Sequence, residues 1–186
     1  AAEFATRITQ TPRGRGILIM PPRHWKSSLC SEKLPAWYLG NHPDHSLIEA
    51  TNSDNLALSF SRNVRSIIES PRFRSLFDVR LRRGSNEVQQ WSLEQAYRYS
   101  FRAAGVGTNI MGGGGNGLIV DDLFKDWQEA QSETVKDARW DWLTKTAFNR
   151  LEPEAWILIV CTRWAEDDHV GRIMQAMNER GAERWD

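Results

Sequence analysis

The sequence contains few cysteines, no long apolar run and no excess of charge of either sign. Its two cysteines, Cys30 and Cys161, are too few for a disulfide framework, and they fit a reducing compartment. No apolar run approaches the length of a membrane-spanning helix, and the first residues lack the apolar core of a signal peptide. Because the formal net charge is +0, the molecule as a whole is not a basic nucleic-acid binder, which leaves only local basic patches. These absences favour a cytoplasmic protein with no membrane partner.

The composition that remains is that of an ordinary globular domain. Hydrophobic residues make up 40% of the 186 residues and charged residues 26%, which suits one domain with a buried core. Residues 1–16 are polar and include Pro12, Gly14 and Gly16, so we predict a flexible lead-in there. The domain itself is predicted to span residues 17–186.

Apolar runs alternate with helical patterns along the chain. The predicted strands are residues 17–20, 46–51, 117–122 and 156–161. The last of them is the most apolar and predicts a central strand that is buried on both faces. Strands separated by helices or long connections predict an α/β fold with a mostly parallel central sheet and helices on both faces. A helix is predicted to begin at Lys26, and Pro35 is expected to kink it or end it early.

The segment after the first predicted strand has part of the pattern of a phosphate-binding loop. It reads Met-Pro-Pro-Arg-His-Trp-Lys-Ser-Ser over residues 20–28. A P-loop reads G-x-x-x-x-G-K-[S/T]: its backbone wraps phosphates, its lysine reaches their oxygens and its hydroxyl binds Mg²⁺. Lys26 and Ser27 match this pattern, whereas Met20 and Trp25 occupy the two glycine positions.

Two carboxylates, Asp121 and Asp122, end the third predicted strand, and Thr162 follows the fourth. Ligands of parallel sheets bind beyond the carboxyl ends of the strands, so these residues and the loop are expected to converge. In a site that hydrolyses a nucleoside triphosphate, Lys26 would contact the phosphates, while Ser27 and Asp121 would hold Mg²⁺. Asp122 would orient or deprotonate the attacking water. The alternative is that the two aspartates form only a turn or a helix cap.

Further residues of these segments have both a functional and a structural interpretation. Arg23 lies within the loop and is expected to pair with the γ-phosphate, unless it is a simple surface arginine. Thr162 would hydrogen-bond the γ-phosphate or the water, unless it is an ordinary strand-end threonine. His24 has no evident partner, and the scattered histidines and cysteines lack the spacing of metal ligands.

An arginine-rich stretch lies between Arg62 and Arg83, with seven arginines against the two acids Glu69 and Asp78. Such an excess of positive charge can follow a phosphate backbone. A solvated helix end and hairpin explains it equally well. Further along, residues 105–117 contain seven glycines, which predict a loop at the catalytic edge or a linker.

Read together, these segments resemble the ATPase domain of phage terminase large subunits, the motors that package DNA into procapsids. The resembling segments follow the family's order from about residue 17 to residue 174. They are residues 20–27, 50–57, 60–62, 70–72, 105–107, 118–122, 132–134, 140–142, 150–153, 162–168 and 171–172. A helicase or another P-loop motor is a poorer match, because the segment 162–168 has no counterpart there.

The resemblance implies a P-loop NTPase fold in which the strand before Thr162 lies between the P-loop strand and the strand that ends at Asp121. It implies that Mg²⁺ is held by Ser27 and Asp121, that Asp122 and Arg23 are catalytic, and that Thr162 couples hydrolysis to DNA movement. The residues implied to bind ATP are Pro22, Arg23, His24, Trp25, Lys26, Ser27 and Ser28.

The implied partners are double-stranded DNA, the portal protein, the small terminase subunit and further copies of the chain in a ring, all in the host cytoplasm. An arginine finger is implied in cis or from a neighbouring copy, with Arg139, Arg150 and Arg163 as unranked candidates. The nuclease domain of the family is absent from this sequence, so no nuclease activity is expected.

The sequence departs from the family at Trp25, which stands where the family has glycine directly before the lysine. That glycine has a backbone shape that a large side chain resists, and the indole is expected to crowd the phosphates. The leading interpretation is an ATP hydrolase that drives DNA packaging. The alternative is a degenerate terminase-like module that binds nucleotide, DNA or packaging partners without hydrolysis.

Overall fold

A central sheet organises the part of the protein that the computed structural model describes, namely residues 1–85, 87–110 and 112–186. Its six strands are β1 (Arg15–Ile19), β2 (Leu47–Thr51), β3 (Gln90–Trp91), β4 (Phe101–Gly105), β5 (Gly115–Asp121) and β6 (Leu151–Cys161). They lie in the order β1-β6-β5-β2-β4-β3, and only the pairing of β3 with β4 is antiparallel. The predicted mostly parallel sheet is therefore confirmed, and β6 lies between β1 and β5 as the resemblance implied.

Helices cover both faces of this sheet, as predicted. They are α1 (Ala2–Gln10), α2 (Leu34–Asn41), α3 (Asp54–Glu69), α4 (Pro71–Arg74), α5 (Trp127–Gln131), α6 (Glu133–Trp142) and α7 (His169–Ala176). Shorter helical segments are the π-helical turns Ser28–Lys33 and Leu143–Ala147 and the 3₁₀ turn Phe148–Arg150. Helices α1 to α4 pack against one face of the sheet and α5 to α7 against the other. Each strand contributes side chains to both faces, because alternate residues of a strand point to opposite faces.

The central strand β6 fixes where the chain presents its polar loops. Residues 155–161 are all buried, which confirms the prediction of a strand covered on both faces. Ile19 of β1 pairs with Cys161, and Asp121 of β5 pairs with Val160. The carboxyl ends of these strands therefore lie side by side at one edge of the sheet, and the loops that follow them share that edge.

The expected flexible lead-in differs from what the structure shows. Residues 2–10 form α1, whose Ala5 and Ile8 are buried against the sheet. Gly16 permits this packing, because a Cβ there would lie 2.7 Å from the Ile8 side chain. The clustered Pro12, Gly14 and Gly16 suggested disorder, but Pro12 and Gly14 lie in the close turn between α1 and β1, and Gly16 lies in β1 itself.

The helix that begins at Lys26 continues through Pro35 rather than ending there. The amide of Leu34 donates to the carbonyl of Leu29, five residues earlier, which closes the π-helical turn Ser28–Lys33. Pro35 then lies in the first turn of α2, where a helix does not need the amide that proline lacks. The expected early end was wrong, because the wider turn absorbs the proline.

The segment predicted as a glycine-rich loop is shorter than the sequence suggested. Gly105 still belongs to β4 and β5 already begins at Gly115. Met111 of this loop and Asn86, which precedes β3 in the chain, lie outside the described residues. None of the helices in the described ranges is long and apolar enough to cross a membrane.

A buried histidine at the start of α7 makes the fold sensitive to pH. His169 is 3% exposed, neither of its ring nitrogens has a hydrogen-bond partner, and its ring centroid lies 5.6 Å from that of Phe124. Burial lowers the pKa of His169 from 6.5 to about 4, with the charge of Arg163 lowering it further against the opposing charge of Asp168. The folded protein therefore holds this imidazole neutral.

We predict that His169→Leu reduces the loss of stability on acidification. An unfolded histidine protonates near its ordinary pKa of 6.5, whereas the folded one does not until about 4, so the wild type loses stability as pH falls through this range. Each unit of pKa shift corresponds to about 1.4 kcal/mol. Urea denaturation at about pH 7 and pH 5 measures the difference, with exposed His24→Leu as the control. Equal pH dependence in the wild type and His169→Leu would contradict the assignment.

Candidate nucleotide site

The loops after β1, β5 and β6 meet at one carboxylate. Lys26 Nζ lies 2.6 Å from Asp122 Oδ2, and the amide of Thr162 donates to Asp122 Oδ1 at 3.0 Å. The hydroxyl of Thr162 donates to the carbonyl of Met20 at 3.1 Å. The structure thus brings together the lysine, the second aspartate and the threonine that the sequence placed at the ends of separate strands.

Asp122 has a constrained backbone as well as a central side chain. Its φ of 46° is left-handed, a region that costs a non-glycine residue about 1–2 kcal/mol. Its amide donates to Val160 at 2.9 Å, and its carbonyl accepts from Asn52 Nδ2 at 3.0 Å. Such surroundings fix a strained residue in place, which is common where a side chain must be aimed. Asn52 was not predicted as a site residue. It nevertheless lies directly after β2, at the carboxyl end of a strand, like the residues that were predicted.

Lys26 is 7% exposed, so its ammonium group is largely withdrawn from water. A buried charge is tolerated when an opposite charge compensates it, and the Asp122 carboxylate provides that compensation. The lysine expected to bind phosphate is therefore paired with the aspartate expected to act on water.

Asp121 directly precedes Asp122 in the chain and is 1% exposed. Ser31, on the π-helical turn, donates to Asp121 Oδ2 at 2.8 Å, whereas Oδ1 accepts no hydrogen bond. Burial raises the pKa of Asp121 from 3.8 to about 6, and the charge of Asp122 adds to the rise. The nearby hydroxyls of Ser27 and Ser31 and the charge of Lys26 oppose it.

The oxygens of Asp121 and Ser27 suit a hard divalent cation such as Mg²⁺, which prefers oxygen ligands. Asp121 Oδ1 is buried and has no partner, so one carboxylate oxygen is available for such an ion. No group of three or more His, Cys, Asp or Glu residues in the described ranges is placed to hold a metal. A magnesium ion here would therefore complete its ligands with water and phosphate oxygens, as this ion commonly does.

The loop between Met20 and Lys26 contains two residues with a left-handed backbone. Arg23 and Trp25 have φ values of 64° and 63°, and their amides donate to no backbone acceptor within the described residues. Successive free amides around left-handed residues form an anion-binding concavity. A cavity of about 360 Å³ opens there, lined by Arg23, Trp25, Lys26, Ser27 and Ser28.

The indole of Trp25 does not fill the loop. It is 79% exposed and forms part of the cavity wall rather than its contents. The indole therefore lies at the side of the cavity, and the crowding of phosphates by Trp25 stays a prediction. The backbone strain that the sequence predicted at this residue is present.

Comparison with known proteins agrees with these features. A family model described as terminase large subunit, T4likevirus-type, N-terminal matches residues 17–184. The chain belongs to this terminase family. Its fold is also similar to that of the HK97 bacteriophage large terminase, with a TM-score of 0.54 and 15% sequence identity. The matched region covers 94% of this chain and 35% of the HK97 chain. No curated protein matches the sequence.

Other loop residues predicted to bind nucleotide in this terminase chain are engaged locally. Pro22 and His24 are exposed, and His24 Nδ1 lies 2.9 Å from the Pro22 carbonyl oxygen. The Ser28 hydroxyl accepts from Lys33 Nζ at 2.6 Å and lies 3.3 Å from a carboxylate oxygen of Glu32. The Ser28 side chain is thus bound to its own helix, although the residue lines the cavity.

The three arginine-finger candidates of the terminase chain have different surroundings. Arg163 Nε lies 2.8 Å from Asp168, and its guanidinium also donates to the carbonyls of residues 165 and 166. Arg139 pairs with Glu129 at 3.1 Å. Arg150 is exposed, but it lies at the amino end of β6, opposite the loop. Within this chain none of them reaches the cavity wall.

Glu49 is a second buried acid near the site and was not predicted from the sequence. It lies on β2, is 0% exposed, and neither carboxylate oxygen has a hydrogen-bond partner. Burial raises the pKa of Glu49 well above its ordinary value, and the charge of Asp121 raises it further, while Ser31 lowers it. The sequence feature that could have identified Glu49 is a single acid within the otherwise apolar run Leu-Ile-Glu-Ala.

We predict that Glu49→Gln stabilises the protein at neutral and alkaline pH. The unfolded carboxyl ionises near its ordinary pKa of about 4.3, while the folded one resists ionisation, so the penalty begins above that pH and grows as pH rises. The amide has nearly the same shape and removes this penalty. Thermal melts at about pH 5 and pH 8 measure it, with exposed Glu69→Gln as the control. A gain that is equal at both pH values would contradict the prediction.

Proposed function

We propose that this chain is the ATP-hydrolysing motor domain of a large terminase and couples hydrolysis to the packaging of double-stranded DNA into procapsids. The observation that supports it most is the meeting of Lys26, Asp122 and Thr162 beside a loop of free amides. Family membership adds support, since large terminases are phage DNA-packaging proteins. The portal protein, the small terminase subunit and a ring of copies are partners within this proposal.

Phosphate binding would begin with an exchange of partners at Lys26. The loop amides and the side chain of Arg23 receive the phosphates, and the phosphate oxygens compete with Asp122 for the ammonium group. Because Lys26 is buried, it keeps a compensating negative charge throughout this exchange. Asp122 is then released from its ion pair only when the nucleotide is present.

Ser27 and Asp121 would hold Mg²⁺ beside the phosphates. The ion neutralises charge on the phosphate oxygens when it is bound. Asp121 must be ionised to act as a ligand, and its pKa of about 6 allows this at neutral pH but not in acid. Ser31 holds the second oxygen of Asp121 and thereby orients the first.

Asp122 would orient or deprotonate the attacking water. The amide of Thr162 keeps one oxygen in place, and the oxygen that Lys26 leaves becomes available to the water. The Thr162 hydroxyl also binds the carbonyl of Met20, where the loop begins. A change at the phosphates is therefore transmitted to the end of β6, which is the basis for proposing Thr162 as the coupling residue.

The DNA-contacting surface of this proposal is the arginine-rich stretch between α3 and β3. Its exposed arginines are Arg62, Arg72, Arg74, Arg80, Arg82 and Arg83. Exposed guanidinium groups at this density bind phosphate backbones without reading sequence.

The second candidate function is nucleotide binding without turnover. Trp25 supports it, because a left-handed tryptophan stands where the family has glycine. In that case the same residues bind ATP and Mg²⁺, and the chain acts as a binding or assembly module.

We predict that Lys26→Ala and Asp121→Ala abolish hydrolysis of Mg·ATP. Asp122→Asn should keep nucleotide binding and lower kcat by about 100-fold or more, because it removes the group that acts on water. Steady-state phosphate release and calorimetric binding measure the two effects, with exposed Lys125→Ala as the control. Wild-type kcat in Asp122→Asn would contradict the assigned role. Nucleotide binding without turnover in the wild type would favour the second candidate.

We predict that Arg80→Ala combined with Arg83→Ala weakens DNA binding and its salt dependence. Each lost phosphate contact lowers the slope of log affinity against log salt concentration by about 0.9. The double variant should therefore lose about 2 from that slope, while exposed Arg180→Ala leaves it unchanged. Fluorescence anisotropy with a double-stranded DNA over a salt series measures it. Binding that is insensitive to salt would overturn the phosphate-contact proposal.

A further inference from the structure

The side chain of Arg163 is held by the segment that follows it. Its Nε donates to Asp168 Oδ2 at 2.8 Å, and its Nη2 donates to the carbonyls of Ala165 and Glu166, both at 2.9 Å. Its Nη1 lies 3.9 Å from the sulfur of Met174 on α7. A guanidinium suits this task because its donors form a rigid planar fork, whereas a lysine ammonium is a compact point charge. One side chain thus fastens the connection between β6 and α7.

The contact with Asp168 also fixes the start of α7. Asp168 is 1% exposed, and its Oδ1 caps the helix by accepting from the amide of Gly171 at 3.0 Å. A buried carboxylate needs a compensating charge, which Arg163 provides. The connection lies so close to the helix that a Cβ at Gly171 would be 1.7 Å from the carbonyl oxygen of Glu166. The connection and α7 are therefore packed as one unit.

Thr162 links this unit to the candidate nucleotide site. Thr162 directly precedes Arg163 in the chain, and its amide donates to Asp122 Oδ1 at 3.0 Å. A shift of the Asp122 carboxylate therefore acts on Thr162 first. Because Arg163 fastens the next residues to α7, a shift of Thr162 reaches the helix through a continuous series of hydrogen bonds.

Two ion pairs continue from this unit to α6. Arg172 of α7 pairs with Asp137 at 2.7 Å, and Asp167, which precedes the cap of α7, pairs with Lys136. Lys136 is 5% exposed, so its pairing is largely shielded from water. A displacement of α7 would therefore be shared with α6, on the same face of the sheet.

We propose that Arg163 is a positioning residue that joins Thr162 to α7, so that the exchange of partners at Asp122 on nucleotide binding displaces α7. The inference rests on the proposed function, because it needs a nucleotide at this site. It assigns Arg163 to transmission within its own chain rather than to an arginine finger, since acceptors of its own chain occupy the guanidinium. Helix α7 is then the element that carries the nucleotide state away from the site.

Amide hydrogen exchange with and without Mg·AMP-PNP tests the transmission. In the wild type the nucleotide should change exchange at Thr162 and in α7 by at least about fivefold, the lower end of ordinary coupling between sites. Arg163→Lys keeps the charge and loses the fork, so the response at Thr162 should remain while that of α7 falls below about twofold. A purely structural role would instead change α7 exchange equally with and without nucleotide. Exposed Arg180→Lys is the control and should respond as the wild type does.

Asp168→Asn breaks the same contact from the other side. Asparagine also caps helices, so α7 keeps its cap while the charge that Arg163 binds is removed. The variant should lose the α7 response as Arg163→Lys does. The double variant should lose no more than either single variant, because both act on one contact. Circular dichroism checks that each variant is folded, and either single variant is sufficient for the test.

The outcomes separate this inference from the proposed function. Calorimetric binding of Mg·AMP-PNP by the wild type and by Arg163→Lys, with an α7 response in the wild type alone, supports both. Normal binding with an α7 response that survives in Arg163→Lys or Asp168→Asn overturns the role of Arg163 and leaves the nucleotide site intact. The same holds for normal binding with no α7 response in the wild type. Failure of the wild type to bind Mg·AMP-PNP or Mg·ATP overturns both.

Discussion

The contact between Lys26 and Asp122 joins parts of the chain that lie 96 residues apart. It forms because β6 holds β1 and β5 on its two sides and aligns their carboxyl ends. The Asp122 carboxylate compensates the charge of the nearly buried Lys26. In return, the contact with Lys26 helps to hold Asp122 in its strained backbone conformation. The site therefore depends on the order of the strands in the sheet as well as on its own residues.

Much of this arrangement could be predicted from the sequence. Apolar runs that end in polar residues identified four parallel strands but missed β4, and the strand-end rule predicted that Lys26, Asp121 and Thr162 would lie together. The order β1-β6-β5 followed only from the resemblance, because strand order is set by packing across the whole sheet and not by any local pattern.

The remaining features depend on tertiary contacts that local patterns do not carry. Glycines at residues 14 and 16 suggested disorder, but here they permit close packing of α1. The strained backbone of Trp25 was predicted from the glycine that the family has there, whereas the exposure of its side chain was not. The unfavourable burial of Glu49 and His169 was not predicted, since it depends on the absence of hydrogen-bond partners for their buried polar atoms. The fold retains these unfavourable groups close to the residues that the proposed chemistry needs, where departures from local rules are expected.

The π-helical turn Ser28–Lys33 makes the length of this helix part of the site. A π-helical turn accommodates one residue more than an α-helical turn, and here that residue lets Ser31 face Asp121 while Lys26 faces Asp122. Deleting one residue from the turn would restore ordinary α-helical spacing and leave Lys26 and α2 in nearly the same relative orientation, because the wide turn already absorbs the extra residue. The residue that faces Asp121 would change, whereas Lys26 would keep its place opposite Asp122. The extra residue therefore matters for what the turn presents to the site and not for the direction of the helix that follows.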